Sequence, residues 1–459
     1  MLKLYDSLTK QEKEFDPVSP GVATVYCCGP TVYIDAHIGN HRTNYLADLV
    51  HRVLKYDGYK VKYVMNITDV GHLSTGSDDG EDKLEESATR EGKSAKEIAD
   101  FYLKGFFEDY EKLNLLKPTK FTRATDYIKQ QINLVKSLED KNYTYKTSDG
   151  IYFDTSKFAE YGQLSGVKAD KIKEGARVEI NPEKKNPTDF ALWKLSPENT
   201  RRWQEWPSPW GTGFPGWHLE CSAMVLEELG DTIDIHIGGE DLRMIHHQNE
   251  IAQSECSTGV KFVNFWMHGA FLQVDGGKMS KSEGTSYTLS DVKKKGFSAI
   301  DLRYFYMNAH YRSSLNFTWE ALKNSQSALK KLYEIVEGYK ESPDAEVSQK
   351  HISKFNESLY SNLNVPTALA VVWDMIKSDV KESVKIATIL KMDEVLGLNF
   401  AMHVGYEIPR KIIDMAKARQ AYKKSGIWDK ADMIRREIRQ LGFKVEDLPG
   451  GEFKVKRGE

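Results

Sequence analysis

The chain has 459 residues, enough for two to four domains, and its 40% hydrophobic and 11% aromatic content suits an ordinary globular protein. Four cysteines (Cys27, Cys28, Cys221, Cys256) are too few for a disulfide scaffold, no apolar run reaches the roughly 20 residues of a membrane span, and the N-terminus has no signal-peptide core, so a cytoplasmic protein is expected. The net charge of −3 argues weakly against nucleic acid, yet from Gly405 to Glu459 14 Lys/Arg stand against 9 Asp/Glu, a tail of +5 that fits either a polyanion partner or a solvated helical face.

Residues 22–30, VATVYCCGP, read as a short strand ending at a Gly-Pro turn. The following HIGNHRTNYLADLVHRVLKYDG places Leu46, Leu49, Val50, Val53 and Leu54 at helical spacing, with Gly58 as a C-cap. KVKYVMNITD (60–69) reads as a second strand, and a crossover helix between two strands implies that they run parallel. A Trp-rich stretch with hairpin-like alternation then reads as an insertion over 121–210. TIDIHI (232–237) is strand-like, GGEDL turns, DLRMIHHQNEIAQSE (241–255) reads as a helix, and FVNFWMHGAFLQV (262–274) is strand-rich. Beyond about residue 315 apolar positions recur at bundle spacing, and the chain closes with a basic helical pair and a short strand-like end.

The expected fold is α/β. A Rossmann-like parallel-sheet domain is split into 1–120 and 211–270 by an insertion, 121–210. A loop-bearing region (271–320), a helical bundle (321–400) and a small C-terminal α/β or helical domain (401–459) follow.

Three constellations carry chemistry. HIGN (37–40) lies between a strand end and a helix start, where unpaired N–H groups and the helix dipole suit a phosphate; His37 adds a donor and Gly39 allows close approach. The alternative is a histidine that merely caps the helix. In HHQNE (246–250), His246 and Glu250 are four apart and share a helical face, half of a zinc site or simply a surface pair. Side chains on a strand alternate, so only one of Cys27 and Cys28 can face a ligand crevice, and Cys28 is the last residue before the turn. Cys256 reads as a small buried hydrophobe, while Cys221 heads a helix, ECSAMVLEELG, after GWHLE. The third constellation, GGKMSKSEG (276–284), is a charged, glycine-rich loop that no packed core needs.

CGPTVYIDAHIGN, GWHLECSAM, IGGEDL with HHQNEIAQS, and KMSKS, in this order, resemble the class I cysteinyl-tRNA synthetases, and the match runs on through NITDV, DFALWK and KARQAYKKSGIWDKADMIRREIRQLGF over essentially the whole chain. The resemblance implies a Rossmann enzyme with a connective insertion and a helical anticodon-binding region. It implies one zinc held by Cys28, Cys221, His246 and Glu250, with His37, Gly39 and Asn40 on ATP. Lys278 and Lys281 would belong to a mobile loop, hinged by its glycines, that closes over ATP; catalysis would fall to His37, Lys278 and Lys281. Trp217, Asp241 and Thr68 would line the amino-acid pocket. Expected partners are tRNA(Cys), ATP with Mg²⁺, and L-cysteine, with no membrane.

The chain departs from the family where Asn40 replaces the second histidine of the signature and where Phe214 stands in place of an arginine. Its acidic stretch 78–86 has no role the family supplies and reads as a solvated loop. Trp428 could stack on an unpaired base, but the expectation is a core residue of the small C-terminal fold. Three other functions fit less of the chain. A ligase that passes the cysteinyl group to a small amine would lack the C-terminal region. An RNA-binding protein on an inactive synthetase fold would not need KMSKS and the zinc set. A zinc hydrolase would need an open coordination position that four protein ligands do not leave.

Overall fold

The computed structural model describes residues 1–71, 83–166, 181–197, 202–279, 284–340, 345–405 and 407–457. Five parallel strands form the central sheet: β1 (Val22–Cys27), β2 (Lys60–Ile67), β3 (Lys120–Arg123), β4 (Ile233–Gly239) and β5 (Val263–Gly269). Their order across the sheet is β5-β4-β1-β2-β3. Helix α1 (Ile38–Tyr56) crosses from β1 to β2, and helices α2 (Trp217–Glu228) and α3 (His246–Thr258) flank β4 in sequence. The inner strands are rich in β-branched and aromatic residues, and the carboxyl halves of β1 and β2 and nearly all of β4 are buried, as a sheet covered on both faces requires.

The strand order fixes where a ligand can bind. From β1 the chain moves outward through β2 to β3, and from β4 it moves the other way to β5. The reversal therefore lies between β1 and β4, whose Ile237 and Cys27 are in register. A crevice opens outside the carboxyl ends of strands at such a switch point. Cys28 and Gly239 are the residues delivered there.

Several element boundaries differ from the sequence reading. The helix expected over 241–255 starts at His246, because residues after Gly239 form a turn, with Leu242 N–H donating to the Gly239 carbonyl (3.0 Å). The helix carrying Cys221 starts at Trp217, three residues before the expected Glu220, so Cys221 lies one turn in and on the same face as Trp217. Lys120–Arg123 pairs in parallel with β2, so the parallel sheet extends past residue 121. The strand-rich stretch 262–274 is two strands, broken at Ala270–Phe271, where the Arg42 guanidinium of α1 holds both carbonyls at 2.7 and 2.8 Å.

Between β3 and β4 the chain builds a four-stranded antiparallel sheet from Thr144–Lys146, Gly150–Phe153, Phe190–Leu195 and Gly213–Pro215. Phe153, Phe190 and Trp193 from that sheet share one apolar core with Leu219 and Val225 of α2 and Ile251 of α3. The insertion is thereby packed onto the two helices that face the crevice.

A buried ionic cluster locks α1 to later parts of the chain. The Asp48 carboxylate accepts from Arg52 Nε (2.8 Å), Arg303 Nη2 (2.6 Å) and the Leu116 amide (2.7 Å), while Arg303 Nε donates to the Leu396 carbonyl (2.7 Å). Burial opposes the Asp48 charge, but the two guanidiniums hold its carboxyl below the usual range. Leu396 ends the last of four helices, Trp319–Glu337, Gln349–Tyr360, Val365–Lys377 and Glu382–Leu396, which form the expected helical region.

A second unit comprises the chain from Phe400 onward together with the segment that begins at Tyr333. It contains helices Arg410–Lys424 and Trp428–Gln440 and a hairpin of Phe443–Leu448 with Glu452–Arg457. Ile412, Ala416, Ile438, Phe443, Val445 and Val455 make its core. Trp428 is not part of it. At the first helical position its side chain points away from that core and is 60% exposed, which corrects the expectation of a core tryptophan. Cys256, by contrast, is buried in the core of the larger unit, as expected.

Candidate active site

The crevice at the switch point is lined from one end by Cys28, Cys221 and His246, across its middle by Thr68, Trp217 and Asp241, and towards α1 by Asn40, Thr43 and Asn44. Two helices each present a pair of residues four apart: Trp217 and Cys221 from α2, His246 and Glu250 from α3. The alternation on β1 resolves the two cysteines. Cys27 is buried beside Tyr63, which leaves Cys28 to face the crevice. Gly29 then has to be glycine, since a Cβ there would lie 1.8 Å from the Asn66 carbonyl oxygen. Its amide donates to Asn66 Oδ1 (2.7 Å), and Asn66 Nδ2 donates to Thr68 Oγ1 (2.9 Å), so one amide side chain sets both the β1 turn and Thr68.

One ligand atom each from Cys28, Cys221, His246 and Glu250 lies within 4.8 Å of all the others. His246 Nε2 and Glu250 Oε1 are 3.0 Å apart, and His236 Nε2 meets the other carboxylate oxygen at 2.8 Å. The protonation pattern is that of a charged cluster largely shielded from water. Burial pushes the Cys28 thiol well above its ordinary value, and nearby Cys221 adds to this. Cys221 moves down to about 6, mainly through its hydrogen bond with Cys28 and further through His246. Burial would raise Glu250, but His236 and His246 outweigh it and hold the carboxyl at about 2. Burial likewise opposes a charged His246, yet Glu250 and then Cys221 raise it to about 10. A divalent cation among these soft and borderline donors would take over part of the charge balance.

A second group of donors overlaps the first: Cys28, His236, His247 and Glu250 also lie within 4.8 Å of one another. His247 Nδ1 meets His268 Nε2 at 2.8 Å, His268 Nδ1 meets Ser7 Oγ at 2.8 Å, and His218 and His246 share a hydrogen bond between their Nδ1 atoms at 2.9 Å. These four histidines did not stand out in the sequence. His236 and His268 occupy buried positions of parallel strands, where a lone histidine reads as core, and His247 stands beside the residue already singled out.

At the α1 end His37 is the N-cap. Its Nδ1 accepts from the Asn40 amide (3.1 Å), and Asn40 Oδ1 accepts from the His37 amide (3.0 Å). The capping reading is therefore correct, and it does not compete with the phosphate reading. A neutral imidazole whose Nδ1 accepts carries its proton on Nε2. Gly39 lies against the loop strand: a Cβ there would come within 2.4 Å of Met279 Cε and 3.1 Å of the His37 ring.

The segment before KMSKS is a tight hairpin, Leu272–Val274 with Gly277–Lys278, turned by Asp275 and Gly276 at φ 49° and 80°. Both values match a type I′ turn, so Gly276 serves the turn. Lys278 is exposed at the end of that hairpin. After the loop the Ile38 amide donates to the Tyr287 carbonyl at 2.9 Å, which ties the returning chain to the HIGN turn. Lys281 lies outside the described residues, as does most of the acidic stretch 78–86.

A family model of the tRNA synthetases class I (C) catalytic domain matches residues 14–327. Cysteine–tRNA ligase 1 of Burkholderia lata is 44% identical over 455 residues, covering 98% of this chain and 96% of that protein. The cysteine–tRNA ligase of Treponema denticola is 40% identical over 483 residues, covering 98% of each. The chain belongs to the cysteine–tRNA ligase family. Among solved structures, Mycobacterium tuberculosis methionyl-tRNA synthetase with methionyl-adenylate matches with a TM-score of 0.53 over 82% of this chain and 90% of that one. At 14% identity that likeness shows the shared class I fold. Where this member of the family has Phe214, the Arg202 guanidinium stacks on the ring, 3.7 Å from its centroid, so a cation stands beside the substituted position. None of the described helices is long and apolar enough to cross a membrane.

Proposed function

We propose that this chain activates L-cysteine with ATP and transfers the cysteinyl group to the terminal ribose of tRNA(Cys), with the amino acid's side chain at the buried donor cluster and ATP along the first turn of α1. The observation that carries this reading is the cluster's position: two thiols and an imidazole line the same crevice as Thr68, Trp217 and Asp241, with the Glu250 carboxylate buried among them. Cys28, Cys221, His246 and Glu250 would hold one zinc ion. That ion would supply a soft Lewis acid for a thiolate, to which a serine hydroxyl is a poor ligand.

The chain's own residues do the rest. Trp217 and Thr68 enclose the amino acid, and Asp241 offers its carboxylate to the α-ammonium group. The cysteine carboxylate oxygen bonds to the α-phosphorus of ATP, and pyrophosphate leaves with the electron pair of the broken bond. Negative charge grows on the phosphoryl oxygens during that step. His37 Nε2–H, the α1 amides, Lys278 and Lys281 are the donors available to it, with Mg²⁺ on the phosphates. In the second step a ribose hydroxyl oxygen bonds to the acyl carbon, AMP leaves, and the hydroxyl proton passes to the departing phosphate.

The basic C-terminal unit and exposed Trp428 support binding of the tRNA anticodon region, through backbone phosphates and base stacking. The catalytic halves, insertion and bundle take the roles expected of residues 1–120, 211–270, 121–210 and 321–400, in the cytoplasm. ATP–pyrophosphate exchange tests the reading. Exchange should depend on cysteine and be at least about 10⁴-fold weaker with serine, as for a site built around one substrate group. Comparable exchange with serine, or none with cysteine, would overturn it.

A further inference from the structure

Arg42 lies on α1, in the second turn after the His37 cap, and is buried. Its Nη1 donates to the carbonyls of Ala270 (2.7 Å) and Phe271 (2.8 Å), and its Nη2 to those of Ser313 (2.5 Å) and His310 (3.4 Å). The two segments it holds are the roots of one small sheet. Ala270 and Phe271 lead from β5 into Leu272–Val274, and residues 310–313 lead into Leu315–Phe317, which pairs in parallel with Leu272–Val274. That sheet carries the hairpin that ends on Lys278: Gln273 pairs with Lys278, and the Gly276 amide donates to Asn316 Oδ1 (2.8 Å). One side chain therefore joins the helix capped by His37 to the base of the hairpin that presents Lys278.

An arginine among carbonyls is ordinarily structural, since buried carbonyls need donors. The place of this one gives it a further role. Burial pushes its pKa down to about 10, which leaves it charged at neutral pH, and charge-assisted hydrogen bonds are the strong ones. Its planar fork holds two chain segments in one fixed relation, which the point charge of a lysine would not. Attack on the α-phosphorus needs its donors at set positions, and a displacement of about 1 Å can cost about 10²-fold in rate. Lys278 is placed no better than the base of its hairpin. We propose that Arg42 is a positioning residue for adenylate formation: it sets the hairpin of Lys278 relative to the α1 turn of His37. The inference rests on the reading above that both of those residues serve ATP.

The test uses the full chain with Arg42→Gln, Arg42→Lys and Lys278→Ala, and with each Arg42 variant combined with Lys278→Ala. Single-turnover adenylate formation, cysteine affinity and bound zinc are measured for each. Arg42→Gln should slow adenylate formation by about 10²-fold, and Arg42→Lys by about 10-fold, because one ammonium reaches fewer of the four carbonyls. Cysteine affinity and zinc content should stay within about twofold of wild type in both, as for a group that acts on the rate and not on ground-state binding. In the Lys278→Ala background the same two substitutions should each cost less than about threefold, since the group they displace is gone. Equal fold losses in both backgrounds, cysteine affinity falling in step with the rate, or a wild-type rate in Arg42→Gln would overturn the inference. If Arg42→Gln does not fold, Arg42→Lys carries the same comparison between backgrounds. A wild-type rate in Lys278→Ala itself would instead strike the assignment of Lys278 to ATP on which the inference rests.

Discussion

The two ends of the crevice are built on opposite principles. At the donor end Cys221, His246, His236 and Glu250 are buried, and each of them sits on a strand or within a helix. At the α1 end His37 is part of an exposed cap, Lys278 hangs from a two-residue hairpin turn, and Gly39 is kept small so that Met279 can lie against it. Choosing a thiol over a hydroxyl demands a site fixed before the substrate arrives. Binding ATP, building charge on phosphorus and releasing pyrophosphate demand groups that can approach and withdraw. Substitutions at the two ends should therefore fail differently.

The largest effect is expected at the fixed end. Cys221→Ser should lower kcat/KM for cysteine in pyrophosphate exchange by about 10⁴-fold, the scale on which a site rejects a substrate whose key group it can no longer bind. Metal analysis should show bound zinc falling in parallel from about one per chain. Full retention of both would remove Cys221 from the site. At the movable end Lys281→Ala should slow adenylate formation by about 10²–10³-fold while cysteine binding changes little, because its charge matters mainly in the transition state. If cysteine affinity falls instead, the contrast between the ends breaks down.

How much of this was legible in the sequence depended on the kind of residue. Cys28, Cys221, His246 and Glu250 were readable because helical and strand periodicities assign side chains to faces, and the family match then joined them. Those same periodicities could not date the start of a helix: Trp217 and His246 begin helices with no side-chain cap, so no N-cap residue marks either boundary. The histidines behind the ligands were illegible for another reason. His236, His247 and His268 come from two strands and a helix, and only the registers Ile237–Cys27 and Gly238–His268 bring them together. Trp428 failed in the opposite sense, because a tryptophan at a helix start carries no periodic sign of which way it faces.

Helix α1 continues from the exposed cap into the buried core and offers a separate pH test there. About four turns beyond the exposed cap, His51 is buried edge-on against Tyr63 with no hydrogen-bond partner for its Nδ1 among the described residues, and burial pushes its pKa down to about 4, with Asp48 only partly opposing this. A free histidine takes its proton near 6.5. Between those values the unfolded chain binds a proton that the folded one refuses. The stability from a neutral His51 is complete above about pH 6.5 and is lost as pH falls towards 4, by up to about 3 kcal/mol. Urea unfolding at pH 7.5 and at pH 4.5 should show wild type losing more stability than His51→Gln over that interval. Equal losses would mean that His51 titrates normally in the fold.

The smallest effect is expected at the cap itself, where Asn40 stands in place of the family's histidine. The cap consists of two reciprocal bonds, His37 N–H to Asn40 Oδ1 and Asn40 N–H to His37 Nδ1. Only the first needs the Asn40 side chain. Asn40→Ala should therefore remove one exposed capping bond, worth about 1 kcal/mol or less, and leave the second, which holds the His37 ring through its Nδ1. The KM for ATP should rise by less than about tenfold, since tenfold corresponds to roughly 1.4 kcal/mol. Asn40→His should be close to neutral, because an imidazole nitrogen can accept from the His37 amide and the ring retains a donor. His37→Ala, which removes the ring that the cap positions, should cost far more in the rate of adenylate formation. If Asn40→Ala proves as damaging as His37→Ala while thermal stability is unchanged, the Asn40 side chain contacts ATP directly, and the first turn of α1 would carry two phosphate donors, one held by the other.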